Sequence, residues 1–307
     1  MSIVFGKEAY VMVELYKECR LCHRNCGVDR TQRVGYCNMP DVMYLSRAAL
    51  HHWEEPPVSG TRGSGTIFFS GCSLSCVFCQ NREISRGRTG KAVSVEQLSD
   101  IMLKLQAQGA HNVNLVTPTH YIPSIAEAIT IAKAKGFTLP IVYNTGSIDT
   151  VESLKMLDGL VDIYLPDFKY YSSKTALAYS NAASYPDDAK SAISEMARQV
   201  GLPSFDKDGI MTRGVIVRLL LLPAHVAEAK LALKYLIDTY GDSIYISLMN
   251  QYTPMPGMTP PLNRKVTREE YESLLDYAIK INLTNGFIQE YGTAKESFIP
   301  PFDCEGI

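Results

Sequence analysis

No apolar run in this chain is long enough to span a bilayer. The opening "MSIVFGKEAYVMVELYKECR" also lacks the order of a secretory signal: its charges lie inside and after the apolar residues, and no small-residue cleavage site follows. A basic excess is missing too. The 30 Lys and Arg stand against 32 Asp and Glu, for a formal net charge of −2, whereas a protein that lives on nucleic acid usually carries a basic excess or a basic face. No internal repeat or low-complexity segment is visible. These absences lead to the expectation of a cytoplasmic protein with neither membrane nor nucleic acid as its partner. Hydrophobic residues make up 46% of the 307, ample for a sizeable core. The length suits one large α/β domain with a small appendage, or two ordinary domains.

What the chain does have is cysteine in clusters. Seven of its eight cysteines fall into two groups before residue 80: Cys19, Cys22, Cys26 and Cys37, then Cys72, Cys76 and Cys79; Cys304 stands apart as a lone thiol. In a reducing compartment stable disulfides are rare, and clustered thiols read as metal or cluster ligands. Residues 1–60 read as an irregular, Cys-rich N-terminal extension with a possible metal site. "EEPPVSGTRGSG" (54–65) reads as the linker, and 61–307 as the second domain.

Beyond the linker, short apolar runs alternate with amphipathic stretches. Strands are expected at 65–71, 112–118, 139–146, 160–167, 214–223 and 243–251, with helices between them, several of which begin at Ser, Thr or Asp and end at Gly. Six such units predict a parallel sheet covered by helices. Polar residues recur at the C-terminal ends of these strands: Cys72, then Thr117 and Thr119, Asn144, Asp167 and Lys169, and Asn250 and Gln251. A barrel gathers such ends around one mouth, where an open sheet would spread them along an edge. The fold class expected is therefore α/β, a partial (β/α)6 TIM-type barrel with the N-terminal extension and a C-terminal cap.

"GCSLSCVFCQN" (71–81) holds three thiols with no fourth nearby. Structural zinc takes four protein ligands, and catalytic zinc relies on His or carboxylate rather than three thiolates. A cubane iron–sulfur cluster suits the loop better, because each iron takes one thiolate and the fourth iron stays open for a small molecule.

Cys-x3-Cys-x2-Cys after the first strand, with Phe78 before the third cysteine, resembles the radical S-adenosylmethionine (SAM) superfamily. "FFSGCSLSCVFCQN", "VNLVTPTHYIP", "LPDFKYY" and "QEYGTAKESFIPPFD" are similar, over nearly the whole chain, to homologues of pyruvate formate-lyase-activating enzyme. The resemblance implies a 4Fe-4S cluster on Cys72, Cys76 and Cys79, with SAM chelating the open iron. It implies reductive cleavage to a 5′-deoxyadenosyl radical and hydrogen abstraction from a protein or small-molecule substrate, such as a glycyl radical enzyme, with flavodoxin or ferredoxin as reductant. It places Phe78 near adenine, Lys169 against the SAM carboxylate and Asp167 near the nucleoside. "VTPTHY" (116–121) departs from the Gly-Gly-Glu of activating enzymes, so backbone carbonyls from Val116 to Thr119 are expected to replace that contact. A non-catalytic iron–sulfur electron carrier is the competing class; Asp167, Lys169 and the barrel count against it, since a carrier needs none of them.

Other residues carry two readings each. Asn144 is a SAM contact or a turn cap. Arg218, inside an apolar strand, needs a buried partner and is read as pointing into the barrel. His120 is a rim residue or a structural histidine, and His225 a helix start. Asn250, Gln251 and Tyr252 line the mouth or form a turn. "NREISRGRTGK" (81–91) is a solvated loop or a landing patch for an acidic electron donor. In "CRLCHRNCGVDRTQRVGYC", Cys19, Cys22, Cys26 and Cys37 fit zinc or a second iron–sulfur cluster, expected to form independently of the Cys72, Cys76 and Cys79 site because the linker separates the groups.

Overall fold

The computed structural model describes residues 13–87, 89–289 and 299–307. Its core is a sheet of parallel strands: β2 (Ser64–Phe69), β4 (Val113–Val116), β5 (Ile141–Thr145), β6 (Ile163–Pro166), β8 (Met211–Leu220), β9 (Tyr245–Met249) and β10 (Gly286–Ile288), hydrogen-bonded in that order. β2, β4, β5 and β6 are buried at every residue. That is why they read as unbroken apolar runs rather than as alternating ones. Two short strands pair antiparallel at the margins: β3 (Lys91–Val93) on β1 and β7 (Ser204–Phe205) on β8. The sheet is not closed, which makes the fold a partial barrel.

Helices return the chain between parallel strands. Ahead of β4 comes α3 (Val95–Ala107), which starts at a capping box in which Ser94 and Gln97 satisfy each other's backbone N–H. The next crossovers are α4 (Ile122–Ala134) and α5 (Val151–Lys155). Between β6 and β8 lie α6 (Ser173–Ser180) and α7 (Tyr185–Val200), and then α8 (Val226–Tyr240) and α9 (Arg268–Lys280) lead on to β9 and β10. α9 opens with a second capping box, Thr267 with Glu270. Among the described residues no helix is long and apolar enough to cross a membrane.

Three expectations are corrected. Residues 1–60 are not irregular throughout: β1 (Met43–His51) pairs antiparallel with β2, from Leu45 opposite Phe69 to His51 opposite Ser64, with a register shift between Leu45 and Arg47. That irregularity and the partial exposure of its second half blur the alternation that would have marked it as a strand. The stretch 54–65 is not a solvated linker either. It forms the short helix α1 (Pro56–Ser59) and the start of β2. Val58 packs with Val142, Ile163, Leu165, Met211 and Ile216 to close the barrel floor. Turn chemistry was legible there, but the burial of one valine was not.

Nor does the linker separate the two cysteine groups: the N-terminal segment packs on the barrel. Cys22 bridges Asp149, and the His23 N–H donates to the Ile148 carbonyl at 2.9 Å. The Arg24 guanidinium donates to the carbonyls of Ser73 (2.7 Å), Leu74 (3.1 Å), Ser180 (2.6 Å) and Asn181. The segment is thus packed behind the loop that follows β2. The C-terminal residues strap β1: the Cys304 N–H donates to Ser46, the Ala48 N–H to Glu305, and Arg47 pairs with Asp303 and Glu305. Of the "QEYGTAKESFIPPFD" motif, residues 290–298 lie outside the described residues, as does Arg88 of the basic loop.

Gly71 ends β2 at φ +84°, where a Cβ would stand 2.1 Å from Met39 Cγ and 2.8 Å from the Cys37 carbonyl oxygen. Gly109, at φ +85°, has nothing within 4 Å of the same position. Alanine at either site bears a left-handed backbone cost of about 1–3 kcal/mol. Only Gly71→Ala adds overpacking, a further ~1–3 kcal/mol. Urea unfolding of the two variants is expected to show that difference, and equal losses would refute the close approach.

Candidate functional site

The loop after β2 is held from outside by two arginines. Arg24 takes the carbonyls of Ser73 and Leu74, while Arg86 donates to those of Ser75 and Cys76, both at 3.2 Å. Inside, the Val77 N–H donates to Tyr179 (2.8 Å) and the Cys79 N–H to Cys76 (3.2 Å). The Ser180 hydroxyl donates to Cys76 Sγ at 3.1 Å and shares a 2.6 Å hydrogen bond with the Tyr170 hydroxyl. Burial pushes the Cys72 thiol up to about 12, with Cys79 and Cys76 adding to the rise. Cys79 is raised by burial and by Cys76 beside it. These thiols are therefore neutral without a positive centre, and a bound metal reverses that by taking the thiolate outright.

The donor set fits a cubane cluster. Three thiols share one loop and one cavity. Among the described residues no three His, Cys, Asp or Glu side chains gather around a single point as the ligands of one ion do. Thiolates that each bind a different iron need no such point.

Facing the loop is a row of alternating charge. Lys169 Nζ lies 2.5 Å from Asp167, whose other oxygen is 2.8 Å from Arg218 Nε. Arg218 also donates to Asn144 Oδ1 at 2.6 Å and lies 3.3 Å from Glu54. The Asn114 amide donates to Glu54 at 3.0 Å. Burial works to raise Asp167, but Arg218 and Lys169 together hold it below the usual carboxylate range. Lys169 is raised: burial disfavours its charge, and Asp167 and then Cys76 more than offset that. Glu54 goes the other way, because burial outweighs Arg218.

Between row and loop lies a cavity of about 250 Å³. It gathers most of the expected residues: Cys72, Cys76, Cys79, Phe78, Thr117, Asn144, Asp167, Lys169, Arg218 and Gln251. Phe78 is largely enclosed, edge-on to Tyr170, Tyr179 and Tyr252 at 6.0–6.3 Å between ring centres. Thr117 sits at φ +59°, its N–H donating to Asn144. Others are not brought in. The Thr119 hydroxyl shares a 3.2 Å hydrogen bond with Thr145, which in turn donates to buried Asp149. His120 is not a rim residue: it is buried, bonded through Nε2 to the Ser70 carbonyl, and pushed down to about 3 by burial and by Arg30. His225 precedes α8 and meets Tyr179. Tyr252 donates to the Leu262 carbonyl, and the Asn250 N–H donates to Gln289. Within the basic loop, Arg82–Ser85 form the short helix α2.

Sequence reasoning missed Glu54, Arg24 and Ser180. Glu54 was hidden in the supposed linker and reaches the row only because α1 plugs the barrel. The arginines of the N-terminal motif were legible as residues but not as clamps.

Two of the first four cysteines, Cys19 and Cys37, lie beside another arginine, Arg30. Cys19, Cys22 and Cys37 are buried and Cys26 is exposed. Burial raises Cys22 to about 12, and Cys37 and Cys19 are near enough to add to it; Cys37 is likewise raised by burial, with Cys19 and Cys26 contributing.

With this geometry established, the comparisons are informative. The model of the radical SAM superfamily matches residues 66–217. An uncharacterized protein of Methanocaldococcus jannaschii is 30% identical over 280 residues, spanning 88% of this chain and 76% of its own. SuiB of Streptococcus suis superposes with a TM-score of 0.50 at 16% identity, over 73% of this chain and 47% of its own, so the chain spans about half the length of SuiB. SuiB has been solved bound to S-adenosylmethionine and bound to its precursor peptide SuiA. Methylornithine synthase gives a TM-score of 0.50 at 17% identity, over 89% of this chain and 69% of its own. At these identities the structural likenesses speak for the fold alone.

Arg218 is the hinge of the charge row, and Arg218→Met tests it. Removing one partner of a buried pair costs about 3–5 kcal/mol. In the native protein Asp167 lies below its unfolded value, so its contribution is present above the unfolded pKa and lost as pH falls through the folded one. Without Arg218, burial raises the folded value instead. The deficit in urea unfolding should therefore be larger at pH 7.5 than at pH 5. A deficit independent of pH would assign Arg218 a packing role only.

Proposed function

The chain belongs to the radical SAM superfamily, and from that premise we propose that Cys72, Cys76 and Cys79 hold a 4Fe-4S cluster at which SAM is reductively cleaved. Held by Cys72, Cys76 and Cys79, such a cluster would leave one iron without a thiolate for SAM and would supply the electron that splits SAM into methionine and a hydrogen-abstracting 5′-deoxyadenosyl radical. The electron comes from a flavodoxin- or ferredoxin-type donor. The observation that carries this reading is the meeting of three thiols, with no fourth in their loop, and a buried charge row across one cavity.

The chain's own residues have distinct tasks in it. The Ser180 hydroxyl donates to Cys76 Sγ and so orients it. Lys169 offers an ammonium to the SAM carboxylate from the side of Asp167 nearest the thiols. Asp167 aims Lys169, and Arg218 in turn fixes Asp167. The strand-end backbone at Val116 and Thr117 stands where an acidic residue is absent, and Phe78 borders the nucleoside. Val58 closes the floor and excludes water. The narrower reading, hydrogen abstraction from a glycine of a partner glycyl radical enzyme, is supported by the motif resemblance. Another peptide or a small molecule is the broader one. Electron paramagnetic resonance of a candidate partner after turnover separates them: a glycyl signal supports the narrow reading, and its absence with product formed elsewhere refutes it.

Anaerobically reconstituted protein with a chemical reductant is expected to release 5′-deoxyadenosine from SAM, and Cys72→Ala, Cys76→Ala and Cys79→Ala should each abolish that release. Undiminished output from Cys76→Ala would sink the assignment. A charge-assisted hydrogen bond is worth about 1.5–3 kcal/mol, so Lys169→Ala should weaken SAM binding roughly ten- to a hundredfold with iron content unchanged. Equal affinity in a binding titration would show that Lys169 serves Asp167 alone.

A further inference from the structure

Among the described residues, Arg30 is a buried cation with no carboxylate beside it. It is 1% exposed. Its guanidinium donates to the carbonyls of Met39 (3.2 Å), Pro40 (2.5 Å) and His120, and to Cys19 Sγ at 3.6 Å. The rings of Tyr16 and Tyr121 lie 4.9 and 5.2 Å from its central carbon. Every one of these is a neutral partner if Cys19 is a thiol, and among the described residues no carboxylate pairs with Arg30. Guanidinium does not shed its proton in proteins. An uncompensated charge at such depth costs several kcal/mol, so a negative group belongs here.

Among the described residues, the acidic groups near it are the Cys19 and Cys37 thiols and the Tyr16 hydroxyl, and of these a metal makes the thiols anionic. Cys19 touches the guanidinium. Cys37 lies along the arginine stem: a Cβ built on Gly35 would meet Cys37 Sγ at 3.4 Å and Arg30 Cδ at 3.5 Å. Cys22 belongs to the same turn, its carbonyl accepting from the Asn25 N–H at 2.9 Å, and Cys26 Sγ lies 3.9 Å from the Cys19 carbonyl on the solvent side. We propose that Cys19, Cys22, Cys26 and Cys37 form a second metal site, a tetrathiolate centre of net negative charge whose counter-ion is Arg30. Four thiolates on one zinc ion or on an oxidised iron–sulfur core leave the same surplus of negative charge. Cys19, Cys22 and Cys26, at Cys-x2-Cys-x3-Cys, have the short spacing of a cluster loop, which favours a multi-iron core, each thiolate taking its own iron, over a zinc ion.

The centre is also a brace for the catalytic loop. The Cys37 carbonyl and Met39 fill the space beside Gly71, and Arg24, between Cys22 and Cys26, clamps the Ser73 and Leu74 carbonyls. A metal that ties Cys22 to Cys37 therefore fixes both supports of the loop carrying Cys72, Cys76 and Cys79.

The test is metal and sulfide analysis of the full chain carrying Cys72→Ala, Cys76→Ala and Cys79→Ala, purified anaerobically without chelator. This reads the second site whether or not the catalytic reading holds. Iron with matching sulfide, about four of each for a cubane, supports the proposal, and zinc at about one per chain supports the tetrathiolate site while overturning the multi-iron core. Neither metal, in protein folded by circular dichroism, overturns the site. Adding Cys26→Ser, at the exposed ligand, should release the metal without unfolding the barrel, and full retention would remove Cys26 from the set. Arg30→Met should speed metal loss to a chelator about tenfold or more, while Arg30→Lys, keeping the charge, should lose less. Equal retention in Arg30→Met and the parent, or equal loss in Met and Lys variants, overturns the counter-ion role.

Discussion

A guanidinium that lines the cavity of a parallel barrel with only 13% of its side chain exposed must be answered by its neighbours, and the candidate site is organised around that constraint. Arg218 comes from the apolar strand β8 and is answered on three sides by Asp167, Asn144 and Glu54, each delivered by a different element. Because the pairing is buried, its members cannot move independently. Asp167 is fixed by Arg218, Lys169 by Asp167, and the ammonium ends at the thiol loop. A buried pair is weak evidence for stability, and its value here is placement. The row fixes a positive charge at the one point where an anionic cofactor group would approach the cysteines.

The thiol loop is fixed by the complementary device. It has no regular secondary structure between Gly71 and Gln80, so its carbonyls must find donors elsewhere. Arginines provide them: Arg24 from the N-terminal segment and Arg86 from beyond α2. Gly71 lets the chain turn hard against Cys37 and Met39. A loop held by its backbone leaves its side chains free for ligands, which is what three thiols on separate irons require. The N-terminal cysteines, though distant along the chain, are thereby part of the same construction.

Most of the barrel was legible. All six expected strands are present, displaced by a few residues at their ends, because doubly buried strands show as apolar runs bounded by turn residues. The strand-end rule located the mouth, and ten of the residues it and the family resemblance proposed meet in one cavity. Thr119 and His120 shared the same strand end and still fell outside. A short turn at Thr119–Tyr121 swings them toward Asp149 and the Ser70 carbonyl. One residue of helical rotation decides such a case, and no local pattern records it.

The sequence by itself determined the alternation of strand and helix, the spacing of the thiols, and the chemistry those thiols can support, since all of these are properties of residues near one another along the chain. The tertiary structure alone decided which groups complete the site. Glu54 reaches Arg218 across 164 positions of chain, and Arg24 reaches Asn181 across 157. Both contacts exist because burial of Val58 and packing of the cysteine segment bring those stretches in. The free energy of such burial depends on what lies on the other side of the interface, and that partner is not written in the stretch that is buried.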